Sequence, residues 1–293
     1  MRAPRTLLLL AVPIVVAGCG SGASSGGSAV SSGATATATP RALTEREYKA
    51  LVTSSARAVS RSVADVRGAG SRSGLQSRLA NASKRLDKAA AELKAAGAPA
   101  AAASTQTDAV SGLQELSATF ASASEKVESG ALCTGPAVAA YLTGSGAASR
   151  LRSAAGGPKR QPTPSLRLKS GSVLSRKGGT GPGELTISNG NAREGVVKLV
   201  SGGKRMSIYI GRKATGTING IPDGTFDIYF ASGVSWDGKR NTFSRNCGFT
   251  RFDDKMKFTS GGGQYTTYRI TLNAVSGGNA STRSIDPDDF PRG

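Results

Sequence analysis

The sequence contains no histidine among its 293 residues. This absence excludes histidine acid/base catalysis, the Ser-His-Asp and Cys-His nucleophile systems, and most zinc sites. Aromatic residues are scarce, at 5% of the chain, whereas glycine is abundant, with 39 residues. This composition is typical of folded parts joined by linkers rather than of one large core. The length suffices for about two domains of ~100–200 residues each.

Acidic residues are half as numerous as basic ones, 19 against 38, so the formal net charge is +19. A charge this positive favours anionic partners. Because the N-terminal residues predict export, we expect anionic lipid or a cell-wall polymer as the partner, and no nucleic acid. No residue pattern indicates a cofactor, a metal site or a particular protein partner.

The first residues have the layout of an export signal. Arg2 and Arg5 give a basic start, and an uncharged apolar stretch runs from Leu7 to Val16. That stretch, interrupted by Pro13, is too short to span a membrane comfortably. Loss of the two arginines with the signal lowers the net charge from +19 to +17.

The signal ends in Val16-Ala17-Gly18-Cys19, which resembles the lipobox of bacterial lipoproteins. The resemblance implies that residues 1–18 are removed and that an acyl chain such as palmitate is attached to Cys19. It also implies a protein anchored at the extracytoplasmic face of the cell membrane. The alternative is an ordinary secretory signal that contains a cysteine.

The other two cysteines, Cys133 and Cys247, form an even pair in an oxidising compartment. A disulfide between them would join two different segments of the chain. The alternative is two buried free thiols, because sequence spacing alone does not show that the sulfurs meet.

Residues 19–42 consist almost entirely of Gly, Ser, Ala and Thr, which predicts a disordered tether. Residues 43–149 then predict an antiparallel helical bundle of three or four helices with coiled-coil-like seams. Thr44 to Glu47 fits a capping box at the first helix start. Apolar residues recur at three- and four-residue spacing in the second and third helices, at Leu75, Leu79, Ala82, Leu86, Ala89 and Leu93, and at Val110, Leu113, Leu116, Phe120, Ala123 and Val127.

Residues 150–182 predict an extended basic linker that contains Pro and Gly. It carries eight positive charges with no acidic residue between them, at Arg150, Arg152, Lys159, Arg160, Arg167, Lys169, Arg176 and Lys177. Two interpretations remain open: a spacer that happens to be basic, or a segment that binds polyanions. A cluster of this size has affinity for an anionic membrane surface within its reach.

Residues 183–285 predict an antiparallel β-sandwich of seven or eight strands. The period changes to two from Gly183, and turns rich in Gly, Asn and Asp separate the β-rich runs. The fold class is therefore α+β in separate domains, a helical bundle followed by a sandwich. An acidic tail, 286–293, ends the chain.

Two resemblances concern this C-terminal part. Ile218 to Tyr229, with the turn Pro222-Asp223-Gly224, resembles a hairpin of transthyretin-like and carboxypeptidase-regulatory-like sandwiches, which implies fold only. Residues 183–291 also resemble an uncharacterised domain of exported actinobacterial proteins, which implies architecture and compartment. The segments that carry this second resemblance are Gly183 to Ile187, Val196 to Val200, Gly220 to Phe230, Cys247 to Asp254 and Ser276 to Ala280.

Few residues suggest chemistry. Trp236, beside a glycine, could stack on a sugar, although a role as a core or loop anchor is the alternative. The glycine-rich run Lys177-Gly178-Gly179-Thr180-Gly181 lacks the Walker spacing and strand-to-helix context. Asp253 and Asp254 are adjacent, as in a turn, and the acids of the tail lack the pattern of a calcium loop.

We therefore expect a lipid-anchored, non-enzymatic protein with a binding or scaffold role, in which the sandwich recognises the ligand and the basic linker favours polyanions. One alternative is an enzyme acting on cell wall or polysaccharide through Asp227, Asp237, Asp253 and Asp254. It needs two carboxylates about 5–10 Å apart in a cleft. Another alternative is a structural subunit that oligomerises through the helical bundle.

Overall fold

The computed structural model describes residues 43–148, 168–272 and 281–292. These residues form a helical region followed by sheets in which antiparallel pairing dominates. The α+β class, with helices and strands in separate regions of the chain, agrees with the sequence. The helices are α1 (Glu45–Arg67), α2 (Arg72–Ala95), α3 (Ala103–Glu128) and α4 (Gly135–Thr143), and a short 3-10 turn, Ala100–Ala102, precedes α3.

Local sequence explains where the helices begin and which face they bury. The Thr44 hydroxyl accepts the backbone N–H of Glu47, whose carboxylate accepts the backbone N–H of Thr44. This capping box satisfies two free amides at the start of α1. The predicted seams of α2 and α3 lie in the helical core, including Leu79, Leu86 and Phe120, with Val110 partly buried at its margin. None of the helices described is long and apolar enough to cross a bilayer.

The described strands are short and numerous. Their bounds are β1 (Val173–Lys177), β2 (Gly183–Asn189), β3 (Glu194–Ser201), β4 (Lys204–Ile210), β5 (Thr215–Ile221), β6 (Gly224–Asp237), β7 (Thr242–Phe252), β8 (Met256–Phe258), β9 (Ser260–Gly261), β10 (Gln264–Tyr265), β11 (Thr267–Leu272) and β12 (Thr282–Ser284). The count exceeds the predicted seven or eight strands because β1, β9 and β12 lie in segments that were not predicted to be strands, and because β10 and β11 divide between them a single predicted β-rich run.

The strands form one large sheet and two small ones. The large sheet has the order β1-β4-β3-β6-β7-β12, with β8 paired to β6 beside it. A three-stranded sheet has the order β11-β2-β5, and its β11–β2 pair is parallel. A two-stranded ribbon of β9 and β10 completes the set.

Period-two alternation gives the large sheet two distinct faces. On its inner face, residues such as Leu199 and Ile208 share a buried cluster with Leu185 and Ile218 of the three-stranded sheet. On its outer face, a second cluster contains Val196, Tyr209, Ala231, Trp236, Phe243, Phe249 and Phe290.

Residues 285–292, which we call the C-terminal clasp, cover part of this outer face. The segment predicted to be an acidic tail is thus docked rather than free, because Phe290 is buried against Tyr229 and Phe249. The Asp288 carboxylate accepts the backbone N–H groups of Arg72 and Ser73 at the start of α2. The clasp therefore contacts both the sheet and the helices.

Strand β1 lies within the segment predicted to be a linker, so the first strand begins at Val173 rather than after residue 182. It pairs antiparallel with β4 and forms one edge of the large sheet. The sequence prediction missed it because eight cations and three prolines dominate residues 150–177, whereas β1 is stabilised by pairing with a strand about thirty residues later.

Candidate functional site

Several residues predicted to be functional lie outside the described parts of the chain. These are the lipidation candidate Cys19 and five of the eight basic residues proposed to bind polyanions, namely Arg150, Arg152, Lys159, Arg160 and Arg167. The other three, Lys169, Arg176 and Lys177, are described, and all three are exposed.

Cys133 and Cys247 form a disulfide in the structure, with an S–S distance of 2.14 Å and a Cα–Cα distance of 6.5 Å. Backbone contacts surround the bond. The Cys133 N–H donates to Ser244 O at 2.9 Å, and Leu132 forms an isolated β-bridge with Arg245. The disulfide thus joins the end of the α3–α4 connection to β7, so the helices and the large sheet are held together covalently.

Trp236 is not a stacking platform. Its side chain is only 2% exposed, and it packs edge-on against Phe243 at 5.1 Å between ring centroids. The residue is an anchor of the outer-face core, as the alternative interpretation held. A buried indole has no free face to offer a sugar.

Asp227 and Asp237, two of the four candidate carboxylates, do not lie together in one cleft. Both lie on β6, ten residues apart, or about 30 Å along the strand at ~3.3 Å per residue. Asp237 pairs with Arg240 at 3.0 Å, and Asp253 pairs with Arg283 at 3.2 Å. Asp254 lies exposed in the bend between β7 and β8.

Asp227 is held in its ionised form. Burial raises the pKa of its carboxyl, but hydrogen bonds and charges from Arg251 and Lys255 outweigh burial and lower that pKa overall. The Asp227 Oδ1 atom lies 2.7 Å from Arg251 Nη2 and 3.4 Å from Lys255 Nζ. A general acid needs a raised pKa, so this environment suits an ion-pair network better than acid catalysis.

A cleft of about 210 Å³ lies where the helices, the large sheet and the clasp meet, beside the disulfide. Leu75, Leu132 and Phe249 contribute apolar lining. Several charged residues at its rim are already bound to other protein groups. Asp288 accepts from the start of α2, and the Arg72 guanidinium lies 3.9 Å from the Asp286 carboxylate. The cleft is therefore a junction between elements rather than a set of converging free groups.

The most distinctive cluster of charge is at one end of the β1–β4 pair. We call it the basic edge and define it as Arg176, Lys177, Lys204 and Arg205. None of these four side chains forms an ion pair with a carboxylate in the described parts of the chain.

Lys177 and Arg205 are direct cross-strand partners, and both are exposed. Directly opposed residues of an antiparallel pair project from the same face, with their Cβ atoms about 4.5–5.5 Å apart. Like charges in this position destabilise a sheet. No described carboxylate lies within ion-pair distance of either side chain to offset that cost.

The other two members hold their positions through backbone carbonyls. The Arg176 guanidinium donates to Gly220 O at 2.8 Å and to Asn219 O at 2.5 Å, while Lys204 Nζ donates to Asp223 O at 2.6 Å. These bonds attach the basic edge to the β5–β6 turn. They satisfy donors, but no described carboxylate forms an ion pair with either of the two positive charges.

Lys198, on β3, adds a buried cation beside the basic edge. Its side chain is 3% exposed, donates from Nζ to Pro291 O at 2.5 Å and lies over the Phe290 ring at 4.6 Å. Burial, and then the charge of Arg205, lower the pKa of Lys198 to about 8. Arg205 in turn donates to Arg292 O at 3.1 Å, so the clasp places two carbonyl oxygens against two cations.

Sequence reasoning identified Arg176 and Lys177 but missed Lys198, Lys204 and Arg205. The available signal was Lys204-Arg205 directly after Gly202-Gly203, a basic pair at a hairpin turn. Only the pairing of β1 with β4 brings that pair beside Lys177, and this pairing cannot be deduced from the alternation of either strand.

Comparison with known proteins finds no protein-family model, no curated protein and no solved structure that matches this chain.

Proposed function

We propose that this is a lipid-anchored protein of the extracytoplasmic cell envelope, attached through Cys19, that binds polyanions through the basic edge. The role is one of binding or scaffolding rather than catalysis. We further propose that the two facing sheets form a β-sandwich that carries this recognition surface. The Cys133–Cys247 disulfide and the clasp fix the helical bundle to this sandwich.

The observation that carries the proposal is the direct cross-strand pairing of Lys177 with Arg205, because neither side chain forms an ion pair with a described carboxylate. Directly opposed like charges destabilise a sheet, whereas an opposite-charge pair in such a position contributes about 0.2–1 kcal/mol. An anion bound between the two side chains would remove the repulsion and use both charges. Anionic lipid headgroups and acidic wall polymers are the polyanions of the proposed compartment.

The test removes the two charges from the full chain with Lys177→Gln/Arg205→Gln. The matched control, Arg57→Gln/Lys84→Gln, removes one arginine and one lysine that are exposed on α1 and α2. Binding is measured to phosphatidylglycerol vesicles and to polyphosphate at several salt concentrations. Surface charges contribute about 1 kcal/mol each at a membrane, so the site variant should lose about thirtyfold in affinity and the control much less.

Salt and stability give two further readouts. Binding should weaken steeply with salt, because exposed charges are screened over about 8–10 Å at ordinary ionic strength. The site variant should unfold at the same or a higher urea concentration, since it loses a repulsion. Equal losses of affinity in the site and control variants would overturn the proposal.

A further inference from the structure

The loop that leaves β1 has features that the basic edge alone does not explain. We call residues 178–181 the glycine loop. Gly178 and Gly179 have φ values of +97° and +87°, which only glycine adopts freely. A Cβ on Gly178 would lie 2.7 Å from Lys204 Cα, and one on Gly181 would lie 2.5 Å from Pro222 Cα. The loop is thus seated directly on the backbone of two neighbouring segments.

The donors of this loop are free in the described structure. The N–H groups of Gly178, Gly179 and Thr180 donate to no acceptor among the described residues, and the Thr180 hydroxyl has no partner among them. All three residues are exposed. Apart from Gly179 and its two chain neighbours, no described atom lies within 4 Å of a Cβ built on Gly179, so open space adjoins the middle of the loop.

Two positively charged residues lie next to the loop. Lys177 directly precedes the loop, and its cross-strand partner Arg205 lies on β4, next to the residue that Gly178 contacts. Consecutive backbone N–H groups in glycine-rich turns form concave sites for anions. Charged donors shorten and strengthen hydrogen bonds to phosphate oxygens.

We propose that the glycine loop is a phosphate-binding site in which the N–H groups of Gly178, Gly179 and Thr180 and the Thr180 hydroxyl hold one phosphate group, and Lys177 and Arg205 neutralise it. The inference rests on the proposed function, since it names the anion that the basic edge binds. Three backbone donors and a hydroxyl suit a tetrahedral group with several acceptor oxygens better than a planar carboxylate. The loop leads into strand β2 rather than a helix, so the site is distinct from a nucleotide-binding P-loop.

The test changes the loop without changing its charge. Thr180→Val removes the hydroxyl at constant shape, and Gly179→Ala opposes the positive φ. The matched controls are Thr225→Val, an exposed strand threonine, and Gly262→Ala, an exposed glycine with φ +60° and open space around it. The full chain is titrated with polyphosphate, with phosphatidylglycerol vesicles and with poly-glutamate.

Each loop variant should bind the phosphate probes about tenfold more weakly, the loss expected for one hydrogen bond to a charged group, with poly-glutamate binding unchanged. A loss on vesicles alone assigns the site to a lipid headgroup, and a loss on polyphosphate alone assigns it to a polymer. Unchanged phosphate binding in both loop variants, or equal losses on poly-glutamate, would overturn the loop site.

Failure of this inference is distinguishable from failure of the proposed function. If Lys177→Gln/Arg205→Gln weakens binding but the loop variants do not, polyanion binding stands and the phosphate site falls. If the charge variant also binds normally, both the polyanion-binding function and the phosphate site are wrong. Amide NMR shifts of Gly178, Gly179 and Thr180 on addition of polyphosphate give a direct readout, and their absence would contradict the loop site.

Discussion

Lys198→Met tests the electrostatics of the outer face through the pH dependence of stability. The folded protein holds Lys198 with a pKa of about 8, against an ordinary value of 10.5. Between these pH values the unfolded chain binds more protons than the folded one, so the free energy of unfolding rises with pH. Below pH 8 the buried, charged Lys198 lowers the free energy of unfolding by its full cost. This cost disappears as the pH rises past 10.5, where the lysine is neutral in both states.

The magnitude follows from the two pKa values. Raising the pH from 7 to 10 should increase the free energy of unfolding of the wild type by about 2.5 kcal/mol relative to Lys198→Met, at ~1.36 kcal/mol per pKa unit. The physical cause is burial under Phe290 and Pro291 together with the charge of Arg205. Arg205→Gln should therefore reduce this pH dependence without abolishing it.

Urea unfolding at pH 7, 8, 9 and 10, followed by the fluorescence of Trp236, measures the effect. The chain has a single tryptophan, and it lies in the same outer-face core as the clasp. Burial raises the pKa of the Tyr48 phenol, and because Tyr48 is present in the wild type and in both variants, its contribution cancels in the comparison. Lys84→Met, on the exposed surface of α2, should follow the wild type. If Lys198→Met also follows it, the burial argument is wrong.

Two further predictions concern the cysteines. Replacing Cys133 and Cys247 by serine should cost about 2–5 kcal/mol, because the disulfide closes a loop across a sequence separation of 114, and urea unfolding with and without reductant measures this. An unchanged midpoint would show that the bond adds no stability. Cys19→Ala should move the protein from the membrane to the soluble fraction, and continued retention after a salt wash would refute the lipid anchor.

The helices were predictable because their signals are local. The capping box at Thr44 and the three- and four-residue recurrence around Leu86 both act within a few residues of the chain. The structure has each of these features where the sequence places it. The central strands β2 to β6 were predictable for the same reason, from alternation and glycine turns.

The parts that sequence missed depend on distant pairing. Strand β1 acquires its partner from β4, β11 lies parallel to β2, and the clasp reaches the start of α2 from more than two hundred residues away. Phe290 is not part of a periodic apolar pattern in the sequence, so its buried position on the sheet could not be predicted. Two of the four residues of the basic edge could be predicted, because Arg176 and Lys177 lie in a charge-rich run of the sequence. Lys204 and Arg205 lie beside them only because β4 pairs with β1.

The disulfide also determines what survives a broken chain. Residues 134–246 lie inside the covalent loop that Cys133 and Cys247 close, and this interval contains most of the large sheet and many sites for trypsin-like proteases. A single cut anywhere within it leaves two polypeptides that remain one covalent molecule until a reductant separates them. If Cys19 carries lipid, a protease acting between the helices and the sheet therefore cuts the chain without freeing the sheet from the membrane.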